Sequence, residues 1–537
     1  MIIKSKHVFT GLKNRTEPLA LLIEEKKIKK ILPYDFRQEE YASEKIIDYG
    51  EKMLMPSFID SHTHIFSGAV DGSEYVCNIL GQCHSQEECV EVLREYERTH
   101  PGQKRIRGTG WFVGAWNDAP LPDKRSLDAA FPDKPVYLRC ADGHSMWLNS
   151  KAIEESGYQS DFHVDNGEAC RFEDGSFTGL FLEPAALEPA MKKYMDFSRE
   201  ELLDIYRSFQ DKLASLGIAA VSEMFADDYT QKTRENYSLF QELDASDELK
   251  AEVFCYTKLF GYTDFTPFFE LKKEVESSHF HIAGVKGFID GVTETYTGLL
   301  LEPYTDRPET CGEGLPLWPK DRMQEEIAAA NKAGIQVRLH CIADGSVRMA
   351  LDMYEHSEQV NGDKGLYNTI EHIENIHPDD IGRFRELKVI PSMQPYHVTL
   401  SNNGKIWRLG KERCKLEFPV RSIYEACGEI AFGTDYPVVT INPFYTIYAA
   451  MSRCNDEGEP ICQNYDTQTL PLDVILKAYT KTAAKVYHAE DRMGTLEEGK
   501  MANLIVLNQN LFEISSMEVH NTKVMVNYFE GREVYHE

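Results

Sequence analysis

Eight apolar segments of strand length recur along the chain, most of them followed by a helical segment, and this alternation limits the fold more than any other feature. Helical stretches such as KDRMQEEIAAANKAG show apolar residues at helical spacing and stop at a glycine. Repeated strand–helix units predict an α/β protein built on a (β/α)8 TIM-like barrel. The eight strand candidates begin near Met55, Ile218, Ala251, Ile282, Ile335, Tyr367, Val389 and Ile430.

The segments outside this alternation predict two further parts. The stretch between the first and second strand candidates is too long for a loop and contains short strands and turns of its own, which predicts an inserted α+β domain. Alternating segments near both termini predict a β-sandwich built from the two ends of the chain. The predicted division is 1–54 and 489–537 for the sandwich, 55–69 for the first barrel strand, 70–196 for the insertion and 197–488 for the rest of the barrel.

Composition excludes several classes of function. The formal net charge is −29 and the pI is about 5.1, which argues against nucleic acid or an anionic membrane as a partner. The chain contains no apolar run long enough to span a membrane, and its first residues lack the apolar core of a secretion signal. Twelve scattered cysteines in such a chain predict reduced thiols and a cytoplasmic protein. Cys77, Cys83 and Cys89 recur at six-residue steps, which match no usual zinc site.

Histidines and an aspartate stand at the ends of several strand candidates. His62 and His64 end the first one, in MPSFIDSHTHIF, and residues two apart on a strand face the same side. His340, His372 and Asp435 end later ones. Each alone has an ordinary reading, as a core histidine or a cap. Because the active sites of such barrels lie at the carboxyl ends of their strands, the set predicts a metal centre there.

Lys286 lies within the apolar strand candidate IAGVKGFIDG. Burial disfavours the charged ammonium and lowers its pKa, and a neutral amine can add carbon dioxide to become a carbamate. The carbamate is a carboxylate on a long stem and can bridge two metal ions. The alternative is an unmodified lysine that reaches solvent or pairs with Asp290.

These motifs resemble the amidohydrolase superfamily, and within it amidohydrolase family 3, the YtcJ-like group that includes N-substituted formamide deformylases. The resemblance covers nearly the whole chain and includes MPSFIDSHTH, GVKGFIDG, VRLHCIADG, IEHIEN and FGTDYPV. It implies a metal-dependent hydrolase in which His144, from ADGHSMW, and His397, from QPYH, face the substrate. The chain departs from many relatives at DGVTETYTG. Many relatives have a serine- or glycine-rich stretch that carries an arginine there, whereas this chain has Glu294 and Tyr296. The implied metal-binding set is His62, His64, Lys286, His340, His372 and Asp435.

The reaction expected from this set is hydrolysis of an amide or related carbon–nitrogen bond in a small molecule. Metal-bound water would attack the carbonyl, with Asp435 as the base that passes its proton to the leaving nitrogen. Two zinc ions are the first expectation, and manganese, iron or nickel suit the same ligands. Three alternatives stay open: a cyclic amide or lactone hydrolase, a mononuclear deaminase with unmodified Lys286, and a non-catalytic binding or regulatory barrel. A homodimer is a possible assembly.

Overall fold

The computed structural model divides into two compact units, one formed by Met1–Ile65 with Gln210–Glu537 and the other by Phe66–Phe209. Among the described helices, none has both the length and the apolar character needed to cross a membrane. The division into domains that we derive from the sequence remains a prediction. The structure describes all residues except 114–115, 117–120, 142, 165–166, 309–317, 401–403 and 456.

The strands, in chain order, are β1 Ile2–Val8, β2 Glu17–Glu24, β3 Lys27–Pro33, β4 Ile46–Asp48, β5 Met53–Pro56, β6 Phe58–Ile59, β7 Ile106–Trp111, β8 Val136–Cys140, β9 Ser145–Leu148, β10 Glu168–Arg171, β11 Phe177–Leu182, β12 Ile218–Asp227, β13 Glu252–Lys258, β14 Phe280–Phe288, β15 Gln336–Cys341, β16 Thr369–His372, β17 Ile390–Met393, β18 Ala431–Phe432, β19 Leu504–Leu507, β20 Val524–Phe529 and β21 Arg532–His536.

The helices are α1 Ile65–Asp71, α2 Gln86–Thr99, α3 Lys124–Ala130, α4 Ser150–Ser156, α5 Pro184–Tyr194, α6 Arg199–Ser215, α7 Gln231–Ala245, α8 Thr266–Val275, α9 Lys320–Lys332, α10 Asp344–Asn361, α11 Arg383–Glu386, α12 Gly404–Arg413, α13 Val420–Cys427, α14 Pro443–Ser452, α15 Leu472–Ala478 and α16 Lys481–Val486.

The larger unit contains a parallel sheet of eight described strands in the order β6, β12, β13, β14, β15, β16, β17, β18. These strands are almost wholly buried, which explains why their sequences show no strict alternation of apolar and polar residues. The sheet curls back on itself, because the Ser61 amide donates to the Phe432 carbonyl at 3.1 Å and the Asp435 amide donates to the His62 carbonyl at 2.7 Å. The first and last strands therefore meet at the carboxyl edge.

Helices of this unit follow the predicted pattern. In α9 the residues Met323, Ile327 and Ala330 are buried at steps of four and three, so one face packs inward. The helix ends just before Gly334, whose φ of 79° lies in the left-handed region that favours glycine. The helix predicted from KDRMQEEIAAANKAG is confirmed.

The first parallel strand differs from its prediction. Met55 belongs to β5, which pairs with β1 and β19, whereas the strand next to β12 is only Phe58–Ile59. The chain thus leaves one sheet and enters another across Ser57, within a single apolar run. Periodicity cannot separate two consecutive buried strands, so the predicted strand began too early.

Strands from both chain ends form a second sheet, ordered β21, β20, β19, β5, β1, β2, β3, with β4 beside β1. Its core includes Ile3, Leu21, Leu54, Leu504 and Val526, which are all buried. Strands from both ends of the chain thus pair in one sheet, while the β-sandwich remains a prediction. The smaller unit has its own sheet, ordered β10, β11, β9, β8, β7. Its core contains three tryptophans and four buried cysteines, namely Trp111, Trp116, Trp147, Cys77, Cys83, Cys89 and Cys140.

Candidate metal centre

The carboxyl edge of the parallel sheet brings histidines from separate strands around Asp435. His62 and His64 follow β6, and Asp435 follows β18. The Nε2 atoms of His62 and His64 lie 3.4 and 3.0 Å from Asp435 Oδ1. On the other side of the same carboxylate, His372 Nδ1 and His397 Nε2 lie 3.9 and 3.6 Å from Oδ2. Asp435 is therefore shared by two pairs of imidazoles.

His340 joins this cluster through His372, since their ring centroids are 4.4 Å apart. Its Nε2 lies 3.3 Å from the Gly291 carbonyl oxygen. Lys286, on the neighbouring strand β14, is 1% exposed. Its Nζ makes no hydrogen bond with any described residue. Burial lowers the pKa of Lys286 to about 8, although the carboxylate of Glu371 acts in the opposite direction.

Backbone geometry at the site is unusual at two of these residues. His372 has φ 76° and Asp435 has φ 61°, both in the left-handed region that side chains other than glycine rarely adopt. Such conformations cost on the order of 1–3 kcal/mol each and persist where the surroundings hold them. Backbone hydrogen bonds on both sides of Asp435 do so, with its amide bound to His62 and its carbonyl accepting from the Val438 amide at 2.9 Å.

The charge states of these groups suit a metal ion. Burial and the nearby Lys286 lower the pKa of His62 to about 3, and the same two causes lower that of His340 to about 4. Burial likewise places the pKa of His372 well below its ordinary value. Burial alone would raise the pKa of Asp435, but the facing His62 and His64 hold it below its ordinary value. Neutral imidazoles and an ionised carboxylate are the donors that a divalent transition metal requires.

Several atoms that could bind a metal ion face one another without forming a hydrogen bond. His62 Nε2, His397 Nε2 and Asp435 Oδ1 are buried and make no hydrogen bond with any described residue. A buried polar atom left without a partner costs about 1–3 kcal/mol, and cations bound on the two sides of Asp435 would remove that cost. Two groups have ligand atoms within 4.8 Å of one another, namely His62, His64 and Asp435, and His372, His397 and Asp435. The residues present therefore fit a metal centre.

Sequence reasoning missed the residues that hold the imidazoles from behind. His62 Nδ1 lies 2.7 Å from Glu371 Oε2, and Arg338 Nε donates to Glu371 Oε1 at 2.8 Å. His372 Nδ1 lies 2.9 Å from Gln394 Oε1. For His62 the contact is at the ring nitrogen that faces away from Asp435, and such contacts fix the orientation of metal-binding histidines. The sequence shows charged residues inside two strand candidates, Arg338 and Glu371, but it does not show which groups they contact.

His144 lies in the smaller unit, just before β9, and its Nδ1 is 2.9 Å from Glu183 Oε2. Its contact with a substrate remains a prediction. His397, the other residue for which the resemblance implies a substrate contact, lies beside Asp435 in the larger unit.

Comparison with known proteins finds relatives along most of the chain. Over 503 residues the chain is 29% identical to Protein LONG AFTER FAR-RED 3 of Arabidopsis thaliana, covering 90% of this chain and 82% of that protein. Over 504 residues it is 24% identical to the N-substituted formamide deformylase of Arthrobacter pascens, covering 91% and 89%. The structure of an uncharacterised metal-dependent hydrolase from Pyrococcus furiosus superimposes with a TM-score of 0.74 at 27% identity, covering 95% of this chain and 99% of that one.

A family model described as "Amidohydrolase family" matches residues 45–535. The match spans the parallel sheet, the smaller unit and most of the terminal sheet, so it includes every residue of the histidine–aspartate cluster. The chain belongs to the amidohydrolase family and is an enzyme of the hydrolase class.

Proposed function

We propose that this protein hydrolyses a non-peptide carbon–nitrogen bond, of the amide type, in a small molecule. The observation that carries the proposal is the set of buried, unpartnered donor atoms around Asp435 at the carboxyl edge of the parallel sheet. We take that sheet to be a closed (β/α)8 barrel, with the terminal strands as a sandwich and the smaller unit as an insertion. The likeness to a formamide deformylase supports the choice of bond.

The chain offers ligands for two divalent ions, for which zinc is our first choice. His62, His64 and Asp435 would hold one ion, while His340, His372 and a carboxylated Lys286 would contribute to the other. A bound divalent ion supplies Lewis-acid chemistry, because it lowers the pKa of water and polarises a carbonyl oxygen. The neutral imidazoles leave their lone pairs available for such an ion.

Asp435 is the group proposed to move the proton. Its carboxylate is ionised, and its backbone is held in place because its amide donates to the His62 carbonyl and its carbonyl accepts from the Val438 amide. A carboxylate in this position can accept the proton of the attacking water and deliver it to the leaving nitrogen. The substrate carbonyl must therefore sit within hydrogen-bond reach of Asp435 through that water.

The carbamate on Lys286 is the second part of the proposal. Neutral Nζ adds the carbon of carbon dioxide, and loss of one proton leaves a carbamate anion. The lowered pKa of Lys286 increases the fraction of neutral amine near neutral pH. With no described hydrogen-bond partner at Nζ, the amine has no competing contact that the addition must break. An unmodified lysine would instead favour a single-ion site.

A substrate screen tests this function. Protein reconstituted with zinc, manganese, iron or nickel is assayed on N-formyl, N-acyl and cyclic amides, with lactones included to test bond type. The expected result is metal-dependent release of amine from one of the amide classes. Reconstituted Asp435→Asn protein is the control for adventitious metal chemistry. Turnover of lactones alone, or equal amine release by that variant, would contradict the proposal.

A further inference from the structure

His397 is a fourth imidazole at Asp435, and it lies after a strand rather than within one. It lies in the short helical segment Pro395–Leu400, which follows β17. The side chain is buried, at 4% exposure, and its ring is nearly parallel to that of His372, at 13° and 6.1 Å between centroids. Its Nε2 lies 3.6 Å from Asp435 Oδ2 and makes no hydrogen bond with any described residue.

Its surroundings match those of the two histidines in the His-x-His motif. In His62, His64 and His397 alike, Nε2 faces Asp435 while Nδ1 faces a glutamate carboxylate in or just after a strand of the parallel sheet. A carboxylate behind the ring is the usual partner of a metal-binding histidine, because it fixes the tautomer that leaves the other nitrogen free to bind. The Nδ1 distances are 2.7 Å to Glu371, 3.8 Å to Glu223 and 3.8 Å to Glu374, respectively.

The carboxylate behind His397 is itself held by a buried lysine. Lys405, on α12, is 3% exposed and its Nζ donates to Glu374 Oε2. Two more carboxylates face the same ammonium, with Glu294 at 3.6 Å and Glu417 at 3.9 Å. Glu294 is one of the residues at which the sequence departs from many relatives, so this departure supplies a partner for Lys405. The pair Glu374–Lys405 thus fixes the position from which Glu374 faces His397.

We propose that His397 is a metal ligand that shares one ion of the centre with His372 and Asp435, and that Lys405 positions it through Glu374. This assignment differs from the substrate-facing role that the family resemblance implies for His397. It rests on the proposed metal centre and deepens it. The ion is a divalent transition metal that accepts imidazole nitrogen and carboxylate oxygen together, as zinc does.

Metal binding, rather than activity, tests the ligand role. Wild-type and His397→Gln apoproteins are titrated with zinc, and their cobalt forms are compared by X-ray absorption. We expect His397→Gln to raise the Kd for one ion by at least about tenfold and to lower the number of imidazole ligands per chain. His488→Gln, at an exposed histidine that contacts the Leu366 carbonyl, is the control and should bind as the wild type does.

The positioning role is tested with Glu374→Gln and Lys405→Met. Each should weaken the same ion by roughly 10- to 100-fold, while neither should weaken it further once His397 is already glutamine. Lys485→Met, which removes the partly exposed pair with Glu429, is the matched control. Because Lys405→Met leaves buried carboxylates without a partner, thermal unfolding is followed in parallel, and Glu374→Gln carries the test if that variant does not fold.

The outcomes separate the two proposals. Wild-type protein that binds no transition metal would overturn the metal centre and the ligand role together. Wild-type protein that binds metal, with His397→Gln unchanged in affinity and in imidazole count, would overturn the ligand role alone. Additive losses from His397→Gln and Glu374→Gln would show that Glu374 does not act through His397.

Discussion

At the scale of single residues, the candidate centre consists of buried side chains. Burial shifts the pKa of several of them, and some of their polar atoms make no hydrogen bond with any described residue. The histidines at the strand ends were predictable because alternation on a strand and the common edge of parallel strands place them together. Their outer partners were not, because Glu371 and Gln394 meet the rings through contacts between different strands. The ring direction of His397 depends on a loop, for which no periodic pattern exists.

Asp435→Asn should abolish most turnover while keeping the fold. The amide cannot accept a proton from water, so kcat should fall by about 100-fold or more. The check is kcat on a confirmed substrate, with metal content and thermal unfolding measured on the same preparation. A variant that keeps near-normal kcat would remove Asp435 from the role of proton carrier.

Lys286→Ala should bind less metal and lose activity, because the proposed carbamate cannot form. Wild-type apoprotein should take up zinc more completely when bicarbonate is present, and the variant should show no such dependence. Propionate added to the variant should restore part of the activity by supplying a carboxylate. Intact mass of gently handled, fully active wild-type protein that lacks the added carbon dioxide would contradict the carbamate.

At the scale of strands and helices, the parallel sheet contains a buried ion pair next to the site. Arg338 on β15 and Glu371 on β16 are both fully buried and are joined by two hydrogen bonds, of 2.8 and 3.0 Å. The strand positions themselves were largely predictable from apolar runs. The ion pair was not predictable, because a pattern of apolar residues does not indicate which charged side chains of neighbouring strands pair with each other.

Glu371→Gln should therefore destabilise the protein strongly. Removing one partner of a buried ion pair leaves the other charge unpaired and costs about 3–5 kcal/mol. Denaturant unfolding of the metal-free proteins measures the loss without a contribution from the ion. Glu429→Gln, which breaks the partly exposed pair with Lys485, is the matched control and should cost about 1 kcal/mol or less. Equal losses from both variants would show that burial of the pair is irrelevant.

At the scale of the whole larger unit, one histidine links three distant parts of the chain. His279, just before β14, lies 2.6 Å from Asp244 of α7 and 3.2 Å from Glu530 after β20. Glu530 also contacts Lys26, which lies between β2 and β3. Burial would lower the pKa of His279, but Glu530 and Asp244 raise it to about 9.

This raised pKa gives the terminal sheet a stability that depends on pH. A group whose pKa is higher when folded stabilises the protein fully below its unfolded pKa of about 6.5, and loses that contribution as pH rises through about 9. The free energy of unfolding of the wild-type protein should therefore exceed that of the His279→Gln variant at pH 6. The difference between the two proteins should be smaller at pH 10. A difference in the free energy of unfolding that stays the same from pH 6 to pH 10 would contradict this assignment.

The meeting of the first and last parallel strands determines when the centre can form. The Thr434 amide donates to Asp60 at 3.0 Å across 374 residues of sequence, next to the His62–Asp435 contact. A nascent chain on the ribosome carries His62 and His64 long before Asp435 emerges. Because Asp435 belongs to both groups of candidate ligands, neither group is complete before β18 and the residues after it have been synthesised. A complete set of candidate ligands therefore requires that the first and last parallel strands have come together.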